Sequence, residues 1–270
     1  MKKLLLLLTV TTLIFVACDK DKTTPEAIVT VSNSDTTYTD TLYVEVPTTY
    51  TVTDTLIVND TVCTSTISIT DVHNPVTGET WMDRNLGAAQ VATNTKDELS
   101  FGWLYQWGRD TDGHQKRTAT TQSDGPTSST PTPNHDIYIG MESGTGGDWL
   151  IPHNDNLWQG VNGINNPCPT GYRIPTITEW EAEISSWYSE DSLGAFSSPL
   201  KLPIAGERDG NGGISSNSTN YSGSYWSSTI DTDPNSYYSN ESTMIKITSD
   251  YVRIESRPRA YGLSIRCIKD

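Results

Sequence analysis

The chain has 270 residues, with 18 Lys and Arg against 33 Asp and Glu, a formal net charge of −15 at pH 7. So acidic a protein repels a phosphate backbone, which excludes nucleic-acid binding driven by counterion release. Hydrophobic residues make up only 34%, yet eight Trp and thirteen Tyr supply enough apolar mass for a packed body, so the whole chain is not disordered.

The first segment, 1–17, reads as an address. Met1-Lys2-Lys3 is basic, and from Leu4 to Ala17 the run is apolar apart from Thr9, Thr11 and Thr12. A basic start followed by a short apolar stretch is the order of a secretory signal, and the stretch is too short to span a bilayer stably. It ends Phe15-Val16-Ala17-Cys18, which resembles a bacterial lipobox with Phe15 where Leu is usual. That resemblance implies cleavage before Cys18, acylation of its sulfur and new amine, and a partner in the membrane, gripped by several acyl chains. The expected location is the cell envelope, lipid-anchored on the outer membrane and open to display at the cell surface. Ordinary secretion with Cys18 as a bystander is the alternative.

Composition changes once. No Gly precedes Gly78 and no Trp precedes Trp81, and the stretch before them is rich in Thr, Val, Asp and Tyr. Segment 18–66 is read as an extended Thr-rich stalk, because β-branched residues favour extended backbone and there is too little apolar mass to close a core. Tyr38-Thr39-Asp40-Thr41-Leu42-Tyr43-Val44 and Val52-Thr53-Asp54-Thr55-Leu56-Ile57-Val58 repeat one pattern. Within them and beside them, Asp-Thr is followed by an aliphatic residue or Thr. This resembles the acceptor motif of a bacterial periplasmic O-glycosylation system and implies sugar on Thr36, Thr41, Thr55 and Thr61. The other reading is an alternating strand whose Asp and Thr are the solvent face.

Segment 67–270 reads as one folded module. Thr176-Ile177-Thr178-Glu179 is a capping box, and Ile177, Trp180, Ile184 and Trp187 follow on one helical stripe, which predicts a helix over 177–188. A second helix is expected over 96–108, with Leu99, Trp103, Leu104 and Trp107 on one face and Gly102 weakening it. Alternation predicts strands at Leu200-Lys201-Leu202-Pro203-Ile204, Met244-Ile245-Lys246-Ile247, Tyr251-Val252-Arg253-Ile254 and Leu263-Ser264-Ile265-Arg266-Cys267-Ile268. Residues 110–166 are mostly loop-forming, a length that points to a functional or poorly ordered segment. A few helices, antiparallel strands and long loops make the fold class α+β.

Four blocks in order carry a more specific likeness: Thr80-Trp81-Met82-Asp83-Arg84-Asn85-Leu86; Gly102-Trp103-Leu104-Tyr105-Gln106-Trp107-Gly108-Arg109; Cys168-Pro169-Thr170-Gly171-Tyr172-Arg173-Ile174-Pro175; and Tyr225-Trp226-Ser227-Ser228-Thr229 with the ending Gly262-Leu263-Ser264-Ile265-Arg266-Cys267-Ile268. Together they resemble the Fibrobacter succinogenes major paralogous domain of bacterial surface proteins. The resemblance implies a C-type-lectin-like fold and, because Cys168 and Cys267 sit in its two Cys-bearing blocks, a disulfide between them. Cys63 is left over in the stalk, free or bridging to another chain. The Glu-Pro-Asn, Gln-Pro-Asp and Trp-Asn-Asp triplets with which calcium-dependent lectins hold sugar are not present.

Candidate ligand residues are those in the loops 110–163 and 206–221. Trp149 and Trp158 flank loop sequence and read equally well as exposed sugar platforms or as core. Trp81, Trp103, Trp107, Trp180 and Trp226 lie in the blocks or on helical stripes and read as core. Arg208, Asp209, Asn211 and Tyr221 belong to a loop whose Glu207-Arg208-Asp209-Gly210-Asn211-Gly212-Gly213 run offers oxygen ligands among glycines. It lacks the third acidic position and terminal Glu of an EF-hand, so it reads first as a turn and only second as a calcium site. No cofactor and no other metal is expected, since His73, His114, His135 and His153 show no ligand spacing. No nucleophile elbow or phosphate loop is present. A non-catalytic module binding polysaccharide or a surface protein is therefore expected. The alternatives are a structural envelope protein without soluble ligand, or an enzyme related to sulfatase-modifying oxidases, which needs reactive cysteines.

Overall fold

The computed structural model describes residues 70–122, 127–142, 144–214 and 222–270 with their side chains, and before them the backbone of five strands. The chain divides into two compact units, Met1–Ser68 and Ile69–Asp270.

In the first unit Phe15–Ala17, Glu26–Ser32 and Thr37–Tyr43 form an antiparallel sheet in that order, with Val29 opposite Asp40. Val52–Val58 and Thr61–Ile67 form a separate antiparallel hairpin with Leu56 opposite Cys63. Each copy of the repeated Asp-Thr pattern supplies one strand of an antiparallel pair, Thr37–Tyr43 and Val52–Val58. Cys18 and Thr36 lie outside the described residues, as do the side chains of Thr41, Thr55, Thr61 and Cys63.

The second unit is α+β, with two α-helices and short, mostly antiparallel strands among the described residues. Its first and last strands meet: Asp71–His73, Thr80–Met82, Ile268–Lys269 and Tyr172–Arg173 lie side by side in that order, every neighbour antiparallel. A disulfide joins Cys168 to Cys267 at this sheet, with Cα atoms 6.0 Å apart and 99 residues of separation. A three-stranded antiparallel meander follows, Ser222–Ile230, Glu241–Thr248 and Val252–Pro258. The alternation at Ile245 and Ile247 places both in one core with Trp81, Trp180, Ile184, Trp187 and Ile268.

The Ile177–Ser185 helix seals that core. Thr176 Oγ1 accepts from the Glu179 amide, and the Glu179 carboxylate accepts from the Thr176 amide at 2.7 Å. The Glu179 end of the box is further held by Arg173, whose two Nη atoms donate to Glu179 at 2.9 and 2.6 Å. The helix ends earlier than the predicted 188, and its stripe carries an unforeseen carboxylate. Glu183 is fully buried, accepts from Asn74 Nδ2 at 2.7 Å and Trp187 Nε1 at 3.0 Å, and is raised in pKa by desolvation.

Three predicted elements do not form as expected; the strand over 263–268 is broken into Gly262–Leu263 and Ile268–Lys269, which belong to different sheets. Over 96–108 there is only a 3-10 turn, Glu98–Ser100, and a short strand, Tyr105–Gln106. Gly102 has φ +67°, and a Cβ there would sit 2.3 Å from the Leu86 carbonyl oxygen, so the chain turns sharply against Leu86 where a helix would have to continue. Leu200, Leu202 and Ile204 are buried as their alternation suggested, but not in a ladder: Lys201 takes φ +48°, and the Leu202 and Ile204 amides donate to Ala195 and Thr95.

Candidate functional site

The ligand residues expected from the sequence mostly build the interior. Trp149 and Trp158 are both 0% exposed, which overturns them as sugar platforms, because an indole without accessible surface offers no face to a pyranose. Trp149 Nε1 donates to the Trp107 carbonyl at 2.7 Å, and Trp158 packs on the Trp107 ring with centroids 5.4 Å apart. The long 110–166 segment is folded inward around them, since each such ring has roughly 150–250 Å² to hide.

Arg208 is likewise a strut. Its side chain is buried, donates to the Gly212 carbonyl at 2.7 Å and Thr121 Oγ1 at 2.9 Å, and lies 4.2 Å over the Tyr138 ring. Asp209 Oδ1 accepts from the Asn211 and Gly213 amides at 2.9 and 3.0 Å, so this carboxylate closes its own turn. Asn211 stands exposed at the tip. Tyr221 lies outside the described residues. Among the described residues no group of three or more His, Cys, Asp or Glu side chains is placed to hold a metal ion.

Beneath this surface are buried polar networks that periodicity could not show. The Gln106 amide donates to His114 Nε2 at 3.2 Å, which leaves Nδ1 to carry the proton and donate to Asp112 at 2.6 Å. Burial holds His114 down at about 4, and the same Asp112 takes Arg109 Nε at 2.8 Å. Desolvation pushes Asp148 up to about 6, partly opposed by Arg259 at 3.7 Å. The four sequence blocks are also tied to one another. Arg266 donates to Asn85 Oδ1 from Nε and Nη2 at 3.2 and 3.0 Å; Trp226 Nε1 donates to the Tyr105 carbonyl, and Trp180 Nε1 to that of Trp226.

Tyr237 is the most exposed of the large hydrophobic side chains among the described residues, and it lies on a tyrosine-bearing surface. The turn between Ser222–Ile230 and Glu241–Thr248 presents Tyr237 at 89% exposure, with Tyr238 edge-on to it at 4.7 Å. Asp231 and Asp233 brace the turn by accepting from the Asp233 and Asn235 amides, both at 2.9 Å. Gly147 lets it dock, because a Cβ there would meet Pro258 at 2.8 Å and Tyr238 at 3.2 Å. Tyr238 in turn neighbours Tyr261, whose hydroxyl is raised by burial and by Tyr238, Glu207 and Asp209, with Arg257 acting the other way. Glu207 accepts from Ser224 Oγ at 2.8 Å and lies 4.0 Å from Arg257 Nε. The surface thus combines three tyrosines with a carboxylate and a guanidinium, beside the Asp209–Asn211 turn. A half-buried ring, an exposed ring and fixed polar groups provide stacking and directed hydrogen bonds.

Of the predicted residues, only Asp209 and Asn211 border this surface. Tyr237, Tyr238, Tyr261 and Arg257 were missed. The one local signal was two adjacent tyrosines in a Pro- and Asn-bearing turn. Comparison with protein-family models, curated proteins and solved structures found no match.

Proposed function

We propose that the chain is a cell-envelope lipoprotein, anchored through Cys18 and carried on a Thr-rich stalk, that displays a C-type-lectin-like module for non-catalytic binding of a glycan or a surface protein. The observation that carries the reading is Tyr237, a large aromatic ring left 89% exposed on a braced turn beside Tyr238. Aromatic faces flanked by fixed polar groups suit sugar rings and protein hot spots alike. The order of the four blocks supports the family resemblance. The Cys168–Cys267 disulfide supports binding over cysteine redox chemistry, since neither sulfur is a free thiolate.

The test is a glycan array and a surface-protein pull-down with the full chain and its Tyr237→Ala variant. The expected result is a ligand whose binding is lost in the variant while thermal stability is unchanged. A bound ligand indifferent to Tyr237→Ala, or no ligand in either screen, refutes the reading.

A further inference from the structure

Val252–Pro258 forms the outer edge of the meander sheet. The Thr248 amide donates to the Tyr251 carbonyl at 2.9 Å, and the register continues Lys246↔Arg253, Ile245↔Ile254 and Met244↔Glu255. Tyr251, Arg253 and Glu255 therefore face their partner strand with their backbone groups, and Val252, Ile254 and Ser256 turn theirs outward. Among the described residues none of these outward groups has a backbone partner, and only the Ser256 carbonyl takes a side-chain donor, Arg257 Nη1 at 3.2 Å. Ile254 is 44% exposed, beside a shallow groove lined by Ile184 and Val252 with Glu181 and Glu190.

We infer that this edge pairs with the same edge of a second copy, antiparallel and centred on Ile254. In that register Ile254 meets Ile254 of the other copy, and Val252 meets Ser256, each exchanging hydrogen bonds. Arg253 then faces Glu255 of the other copy on both sides of the two-fold, at the closer, non-hydrogen-bonded positions. Shifting one strand by two residues puts Arg253 against Arg253, or Glu255 against Glu255, so the charges reject the neighbouring registers. Charged side chains guard many sheet edges against pairing; here they guard against the two adjacent registers. Arg253 has no acidic partner among the described residues and stacks on Tyr251 at 4.2 Å, whereas Glu255 accepts from Arg257 at 3.1 Å. A strand from residues 23–69, which hold six Asp and Glu and no Lys or Arg, could answer Arg253 but not Glu255, and would bring carboxylates beside Glu181 and Glu190. A second copy answers both. The inference is independent of the glycan reading.

Sedimentation equilibrium of the full chain carrying Cys18→Ser, which keeps it out of micelles, tests this. The expected result is a reversible dimer, weakened at least about tenfold by Arg253→Glu or Glu255→Arg alone and restored when both are combined. A chain monomeric at about 100 μM overturns the inference. So do single variants without effect, or a double variant no better than the singles. A monomer whose Ile254 amide is nonetheless protected from hydrogen exchange assigns the edge to the chain's own N-terminal strands and likewise overturns it.

Discussion

Removing the disulfide with Cys168→Ala and Cys267→Ala leaves the strand contacts around it in place. Ile268 still pairs with Trp81 and with Arg173, and Lys269 with Tyr172, so the folded form keeps the two chain segments together. The loss falls instead on the unfolded state, whose two ends, 99 residues apart, become free to separate. The loop-closure entropy for about 100 residues is on the order of 16 cal/mol/K, or roughly 5 kcal/mol at room temperature. Against a typical total of about 5–15 kcal/mol, that takes much of the stability of the unit. Urea denaturation followed by tryptophan fluorescence measures it, since all eight Trp lie in Ile69–Asp270. The midpoint should fall and the m-value should rise, because a chain without the crosslink exposes more surface on unfolding. A loss under about 1.5 kcal/mol with an unchanged m-value refutes the reasoning, and locates the effect of the bond in the native state or nowhere.

Other outcomes follow from buried groups. Arg266→Met should destabilise by about 3–5 kcal/mol in thermal melts, because Arg266 is 1% exposed and its loss strands Asn85 Oδ1 and the Met82 carbonyl without a donor. Thr176→Ala should lose about 1 kcal/mol through the cap, and Thr176→Ser should recover most of it in the same urea titration. His114 binds a proton near 6.5 when unfolded but only at about 4 when folded, so the unfolded state holds more protons in between and stability falls as pH drops through that window. His114→Gln should therefore cost least at the acid end, its penalty shrinking by on the order of 3 kcal/mol between pH 7 and pH 4. Asp148 has the opposite sign: its folded value of about 6 lies above the ordinary 3.8, so the folded state binds the proton first and gains stability as pH falls. The penalty of Asp148→Asn should grow over that window, and parallel melts of both variants across pH separate the two groups.

Much of the fold was legible because some constraints are local. The Thr176–Glu179 box needs only residues three apart, and Ile245 and Ile247 announce a buried strand face by alternation alone. The helix expected over 96–108 failed for a reason alternation cannot carry. Trp103, Leu104 and Trp107 share helical spacing and Leu104 and Trp107 are buried, but the Trp103 ring lies over Gly87, where a Cβ would come within 2.1 Å of it. The candidate site was legible only at its border. Whether a loop tryptophan faces in or out depends on what covers it: the Trp107 ring packs on Trp158, and the Trp107 carbonyl takes the Trp149 Nε1 proton.

By itself the sequence determined the class of the body, the place of its capped helix, the inward faces of its central strands and the acidic character that repels nucleic acid. Those follow from charge and from interactions among near neighbours in the chain. Only the tertiary structure decided that Arg266 reaches Asn85 across 181 positions, that Trp149 and Trp158 are walls, that Tyr237 stands free, and that Val252–Pro258 is left as an open edge. Burial and pairing are properties of contacts between remote segments, and no local pattern of residue types encodes which remote segment arrives.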